Sequence, residues 1–541
     1  MMLTGMSLMQ KIRQGDGRKA WGVVWSRRGV LAHSMCGGKD TTLPQRWTAG
    51  PSGAGQSMEI KHIIAAVLIV LLTSAGVMMA SVAQRARDVM FFLLVAGAVM
   101  TERMDVHFFS HAWYRGTTLG IEISLVDILA ISIFAASLLV PRYRGPRWYW
   151  PAGLGIMGVY FLYCCFSVLI SEPKIFGAFE LSKIVRGAVF FLATASFVRT
   201  RRELRWLVLG LVFAVCLEGV MGLKQRAWWG MDRVNGSLDH ANSLSMYLCL
   251  VGPVLAAAAV ADFPRWLRRM SFIGLGVAFF TIMLTISRAG VPIFGLVVLG
   301  TAAWCVSWRV TLKKLVLALA ITAGAAALLG VFWKPLMARY GEATLAEEYL
   351  DADAGNEGRG VYLRWAKMIV ADHFFGLGLN NWSYGVSKTY GAREGFSYGD
   401  YDKIHSLAER LAASDTNFAA PAHSLGALTL GELGVPGLFV FALVWIRWFQ
   451  TGARFLRRRV GDPMHRLGVG IFFGTWGIFL QSLTEWVYRQ TPIFVTFHIL
   501  IGALAGLYYY KENAKKSAEA KAREVKAART PSRPAMSTVD M

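Results

Sequence analysis

The chain has 541 residues, 55% of them hydrophobic, a mean hydropathy of +0.43 and a formal net charge of +23. This is too apolar for a soluble protein of its size. The basic residues sit in short links between apolar runs, as in cytoplasmic loops of membrane proteins, so the charge does not point to a nucleic-acid partner.

Residues 1–57 are polar, Gly-rich and basic, with Arg27, Arg28, Lys39 and Arg46. They lack the continuous apolar core of a secretory signal. They read as a disordered tail, with Met58 as an alternative start just before the first apolar run.

Thirteen apolar runs follow, at about 60–80, 88–101, 119–140, 152–171, 184–198, 204–223, 241–261, 270–287, 289–308, 312–334, 424–449, 467–486 and 492–510. Runs of this length read as transmembrane helices. The expected fold is an all-α polytopic membrane protein with about 12–13 spans. Arg85 and Arg87, Arg142 and Arg144, Arg201 and Arg202, Arg268 and Arg269, Lys313 and Lys314, and Arg457 and Arg458 all follow odd-numbered runs. Those ends are therefore cytoplasmic, and the long loop at 335–423 lies outside. This orientation puts the basic tail on the outer side, against the bias; a start at Met58 removes the conflict, and so would a miscounted run in 60–101. Residues 58–334 and 424–510 form the two membrane parts, and 511–541 a basic cytoplasmic tail.

The outer loop carries acidic residues from Glu342 to Asp353, then Arg359, Arg364 and Trp365 in a stretch of helical character. Gly376 to Trp382 reads as a turn, and the aromatics Tyr384, Tyr390, Phe396, Tyr398 and Tyr401 argue against simple disorder. Five cysteines fall in apolar runs and Cys36 in the tail. We expect no structural disulfide, and no Cys/His cluster suggests zinc.

Four places bear chemistry. His423 and Ser424 stand where the loop gives way to an apolar run, nine residues before Gly434 and with Glu432 in the gap. A histidine at that boundary is either a general base with one available lone pair or an interfacial residue of no consequence. Arg288, on the outer side between two runs, either snorkels to lipid headgroups or binds phosphate oxygens with its planar fork. Arg359 and Arg364 are read either as further donors for a pyrophosphate or as loop charges paired with the acidic stretch. His240 and Asn242 precede the seventh run; Asn242 is read first as its cap and otherwise as a partner for a sugar hydroxyl. Glu180 and Lys183, one turn apart, read as a structural couple. There is no glycine-rich phosphate loop and no Asp-rich metal motif of the kind nucleotide-sugar transferases use.

Several segments resemble, in order, those of the O-antigen ligase and polymerase superfamily. Arg233 to Asn242 resembles the segment before its central helix, and Leu284 to Arg288 its Ser-Arg-Gly segment. Arg359 to Gly378 resembles its arginine-led segment ending in Asp-His-Pro and a Gly-x-Gly turn. His423-Ser424-x9-Gly434 resembles its His-[Asn/Ser/Gln]-x9-Gly signature. Ala241 and Phe374 replace usual prolines, and Leu363 a common aromatic. The resemblance runs from about Glu180 to Phe441. It implies a multi-pass protein of the bacterial inner membrane that transfers a glycan from a polyprenyl pyrophosphate to an acceptor hydroxyl at the outer face. It implies inversion at the anomeric centre and no metal, nucleotide or other cofactor. Its partners would be that lipid-linked donor, a glycan, lipid or protein acceptor, and membrane lipids. It casts His423 as base and Arg288 and Arg359 as pyrophosphate ligands, with Arg364, Asn242, His240, Ser424 and Glu432 binding substrate. The competing class is a polytopic transporter or flippase of a polysaccharide precursor, although no internal repeat supports it.

Overall fold

The structure is a computed structural model that describes residues 60–111, 113–140, 148–307, 309–341, 359–404, 418–456 and 461–529. Residues 1–57, the acidic stretch from Glu342 to Asp353 and the basic links at 142–147 and 457–460 lie outside them. The described chain is mostly helical. Helices of fourteen residues or more coincide with each of the thirteen apolar runs, and one more lies in the long loop. They are α1 (Ile60–Val82), α2 (Gln84–Gly97), α3 (Leu125–Leu139), α4 (Leu154–Ile170), α5 (Lys174–Phe197), α6 (Arg201–Ala227) and α7 (Ala241–Val260). After these come α8 (Arg265–Thr285), α9 (Gly290–Cys305), α10 (Leu312–Gly341), α11 (Arg359–Asp372), α12 (Leu425–Ala453), α13 (Pro463–Ser482) and α14 (Thr491–Arg529).

Among the described residues, seven helices are long and apolar enough to cross a membrane: α1, α6, α7, α8, α10, α12 and α14. The apolar α3, α4 and α9 are shorter. Outward side chains on these helices are apolar and bare, with Val70, Leu169, Leu299 and Leu319 each more than 60% exposed. Apolar surface on this scale fits lipid and not water. Inside, one continuous core joins α2, α3, α5 to α9, α12, α13 and α14.

Local chemistry sets the helix boundaries. Ser124 and Asp127 form a capping box at the start of α3. Asp462 caps α13 from just before Pro463. The run expected at 119–140 begins instead with a strand. β1 (Val106–Ser110) and β2 (Gly120–Ile123) pair as an antiparallel hairpin, and α3 starts only at Leu125. The alternation in Gly120-Ile121-Glu122-Ile123 has the period of a strand.

Two polar ends result. At one, Arg202 binds Asp88 at 2.6 Å, Arg201 binds Asp462 at 3.1 Å, and the Asp262 amide donates to Gly461. From there α6 rises through 27 residues, about 40 Å, to the opposite end. That end holds the loops before α7 and α9, the start of α12 and the turn after α13.

The long loop is a packed element. α11 buries Val361, Trp365, Ala366 and Ile369 against Trp382, Ala427 and Leu428 at the start of α12. Its Gly376-Leu377-Gly378 turn fills a break in α12. Gly434 sits at φ 66° and ψ −171°, so the helix cannot continue through it. The amides of Leu377 and Gly378 donate to the carbonyls of Gly431 and Glu432 at 2.9 and 2.8 Å, and the Val435 amide donates to Phe374. Backbone groups freed by the break are thus satisfied within the protein, the condition for irregular backbone inside an apolar helix layer. Side chains at Gly376 or Gly434 would strike this pairing: a Cβ at Gly434 would lie 2.1 Å from the Phe374 carbonyl oxygen, and one at Gly376 2.5 Å from that of Glu432.

Asn380 ties the same turn to the N-terminal half. Its amide nitrogen donates to the carbonyls of Thr118 and Phe176, and its oxygen accepts from Thr117.

Candidate functional site

The end that carries the long loop gathers polar side chains from five segments. His423 directly precedes Ser424, which caps α12 by accepting from the Ala427 amide. Its Nδ1 lies 3.0 Å from Glu485 Oε2. The other carboxylate oxygen of Glu485 accepts from Asn242 Nδ2 at 2.7 Å. Asn242 Oδ1 accepts from Arg233 Nη2 at 3.0 Å and from Ser287 Oγ at 3.4 Å. Arg233 also donates through Nε to the Thr285 carbonyl. The order is His423–Glu485–Asn242–Arg233, with Ser287, the neighbour of Arg288, joined at Asn242.

Burial fixes this chain of contacts. The Glu485 side chain is 4% exposed, while that of His423 is 37% exposed. A buried carboxylate on Nδ1 selects the tautomer with its proton there, leaving the Nε2 lone pair free. Among the described residues, Nε2 has no hydrogen-bond partner. The Tyr362 ring lies 5.7 Å from the imidazole and brings α11 to the site.

The cap of α7 is His240, not Asn242. The Asn242 amide donates to His240 Nδ1 at 3.1 Å, which releases the Asn242 side chain for Glu485 and Arg233. Burial and then the Arg233 charge hold His240 below the ordinary histidine pKa, and His423 and Arg339 act in the same direction. Ser287 Oγ accepts from the Gly290 amide and so rounds the turn that holds Arg288. The Arg288 carbonyl accepts from the Tyr340 hydroxyl at 2.6 Å. α10 extends seven residues past its expected end at 334, through Gly341, and so delivers Arg339 and Tyr340 to this end.

The remaining candidates lie elsewhere. Arg364 binds Glu394 through Nε and Nη2, at 3.2 and 3.0 Å, so its guanidinium is held within the loop. Glu432 is 1% exposed and takes Arg489 Nη1 at 2.6 Å, so it does not stand open to a substrate. Arg489 also binds Glu180, and Glu180 binds Lys183 at 2.8 Å. Thr117 and Thr118 donate to Glu180 as well. This buried cluster ties α5, α12 and the turn after α13 together. Arg359 opens α11, but its side chain lies outside the described residues.

Sequence reading missed Glu485, Arg233 and Arg339. Glu485 fell inside an expected apolar run, yet α13 ends at Ser482, so it stands in a turn. A carboxylate within such a run was the signal available. Among the described residues, no group of three His, Cys, Asp or Glu could hold a metal ion. A scan against protein-family models finds no match for this chain, and a search of curated proteins finds none either.

Proposed function

We propose that this protein is a multi-pass enzyme of the bacterial inner membrane, with twelve to thirteen spans and its long loop on the outer face. In this reading it transfers a glycan from a polyprenyl pyrophosphate to an acceptor hydroxyl, as the O-antigen ligase and polymerase superfamily does. The observation that carries the reading is the His423–Glu485 pair, with the Ser287–Arg288 turn joined to it through Asn242.

In the proposed reaction the acceptor hydroxyl lies against His423 Nε2. That nitrogen takes the proton as the acceptor oxygen bonds to the anomeric carbon. The bond from that carbon to the pyrophosphate oxygen breaks on the opposite face, which inverts the centre. Arg288, aided by Arg359, neutralises the leaving pyrophosphate. Glu485 stabilises the imidazolium that forms and is itself oriented by Asn242 and Arg233. Whether the acceptor is a growing glycan, a lipid or a protein side chain defines a ligase or a polymerase within one chemistry. Carriers typically turn the freed backbone groups of a broken helix towards the substrate; those around Gly434 are instead taken by the loop backbone, which favours the transferase.

The test is the lipid-linked glycan pool of a deletion strain. Wild-type protein should clear it, and Arg288→Lys, which keeps the charge but loses the fork, should leave most of it unconsumed. Full clearance by Arg288→Lys would count against the pyrophosphate role.

A further inference from the structure

A cavity lies against the loop, at the far end of α11 from His423. It has a volume of about 180 Å³, roughly one sugar ring, and opens to the surface. Tyr362 lies beside His423 and Asp372 beside this cavity. The ten helical steps from one to the other span about 15 Å, the length of a few linked sugars.

Its walls carry Glu172, Asp372, Lys388 and Arg393, each in an ion pair; Glu172 takes Lys174 at 2.9 Å. Asp372 accepts from Arg393 at 2.6 Å and from the Tyr390 hydroxyl at 3.1 Å. Lys388 binds Asp402 at 2.5 Å and the Tyr384 hydroxyl at 2.9 Å. Neither cation is left over for a phosphate, so an anion is poorly matched. The Asp372 carboxylate and the Tyr384 and Tyr390 phenols, all on the wall, keep acceptor capacity for a neutral hydroxyl. The Arg393 contact holds the exposed Asp372 below the usual carboxylate range, so it stays an acceptor at neutral pH.

Two further observations point to a ligand. Asn381, 1% exposed, lines the cavity and commits its amide nitrogen to the Leu377 carbonyl; its amide oxygen has no partner among the described residues. The wall from Val386 to Tyr390 is a π-helical turn. Such turns cost regular hydrogen bonding and concentrate at functional sites.

We infer that this cavity is a glycan subsite, which holds a neutral sugar residue of the chain whose other end reacts at His423. The inference rests on the transferase reading for which chain enters, but the cavity's ligand can be tested apart from catalysis.

The test places the photo-crosslinker p-benzoylphenylalanine at Thr389, an exposed wall residue, in the full-length protein within its native host. After irradiation the purified protein is probed for vicinal diols by periodate oxidation and hydrazide labelling. The expected result is a glycan-bearing adduct that persists in a His423→Ala background. A crosslinker at Arg269, on the opposite end of the molecule, should give none. No glycan adduct at Thr389, or an equal one at Arg269, overturns the subsite. As a second arm, Thr389→Trp fills the cavity from an exposed position and should lower glycan output about tenfold or more at unchanged protein level. Unchanged output in Thr389→Trp, with His423→Ala inactive, overturns the subsite alone. Full output in His423→Ala overturns the transferase reading and leaves the crosslink result standing.

Discussion

Glu485 meets His423 across 62 residues of sequence, its carboxylate oxygen 3.0 Å from the imidazole Nδ1. The second oxygen is taken by Asn242 at 2.7 Å, so the carboxylate cannot rotate away without breaking a second bond.

Glu485→Gln keeps the shape and loses the charge. Transfer should fall about a hundred- to ten-thousandfold, because the amide neither holds the tautomer nor stabilises the imidazolium. The loss should appear in kcat with KM little changed, and Glu485→Asp should recover part of it. A Glu485→Gln protein with wild-type kcat would show that the pair only holds the fold.

Glu432 should behave as a structural residue. Removing one member of a buried ion pair leaves a charge stranded, at a cost of about 3–5 kcal/mol. Glu432→Ala should therefore lower the melting temperature and membrane yield through Arg489. Normal stability with weakened substrate binding would return Glu432 to the site.

Gly434→Ala should destabilise the join between the long loop and α12. The left-handed backbone at Gly434 strains any side chain by about 1–3 kcal/mol, and the contact 2.1 Å from the Phe374 carbonyl oxygen adds to it. Limited proteolysis should cut the long loop faster in this variant. An unchanged cleavage rate would mean the loop docks without the Gly376–Gly434 join.

Acid should loosen the same end through His240. Its folded pKa is lowered, so the fold favours the neutral ring. That contribution is complete above the unfolded value of about 6.5 and is lost as pH falls through the folded one. The melting temperature should drop between pH 7.5 and 5, and less so in His240→Asn, which still caps α7. Equal drops in both proteins would remove His240 from the effect.

The helices were legible because apolar runs are local: each of the thirteen holds a helix. The hairpin at 106–123 was not, because its second strand is four residues long and abuts the apolar α3. His423, Asn242 and the Arg288 turn were visible as polar residues at the edges of apolar runs. Glu485 and Arg233 were not, because their roles come from partners 62 and 9 residues away and from a helix that stops at Ser482. Glu432 stood inside the motif by spacing, yet helical geometry turns it towards Arg489. Asn242 lost its expected cap to His240, whose ring nitrogen reaches the same amide.

The role of His423 is tested most directly by the amount of polyprenyl pyrophosphate-linked glycan that accumulates when His423→Ala replaces the wild-type protein in its host. Expected are normal membrane levels of the variant, accumulation matching that of the deletion strain, and a transfer rate lower by about a hundred- to ten-thousandfold. Clearance of the lipid-linked pool at the wild-type rate by His423→Ala would contradict it.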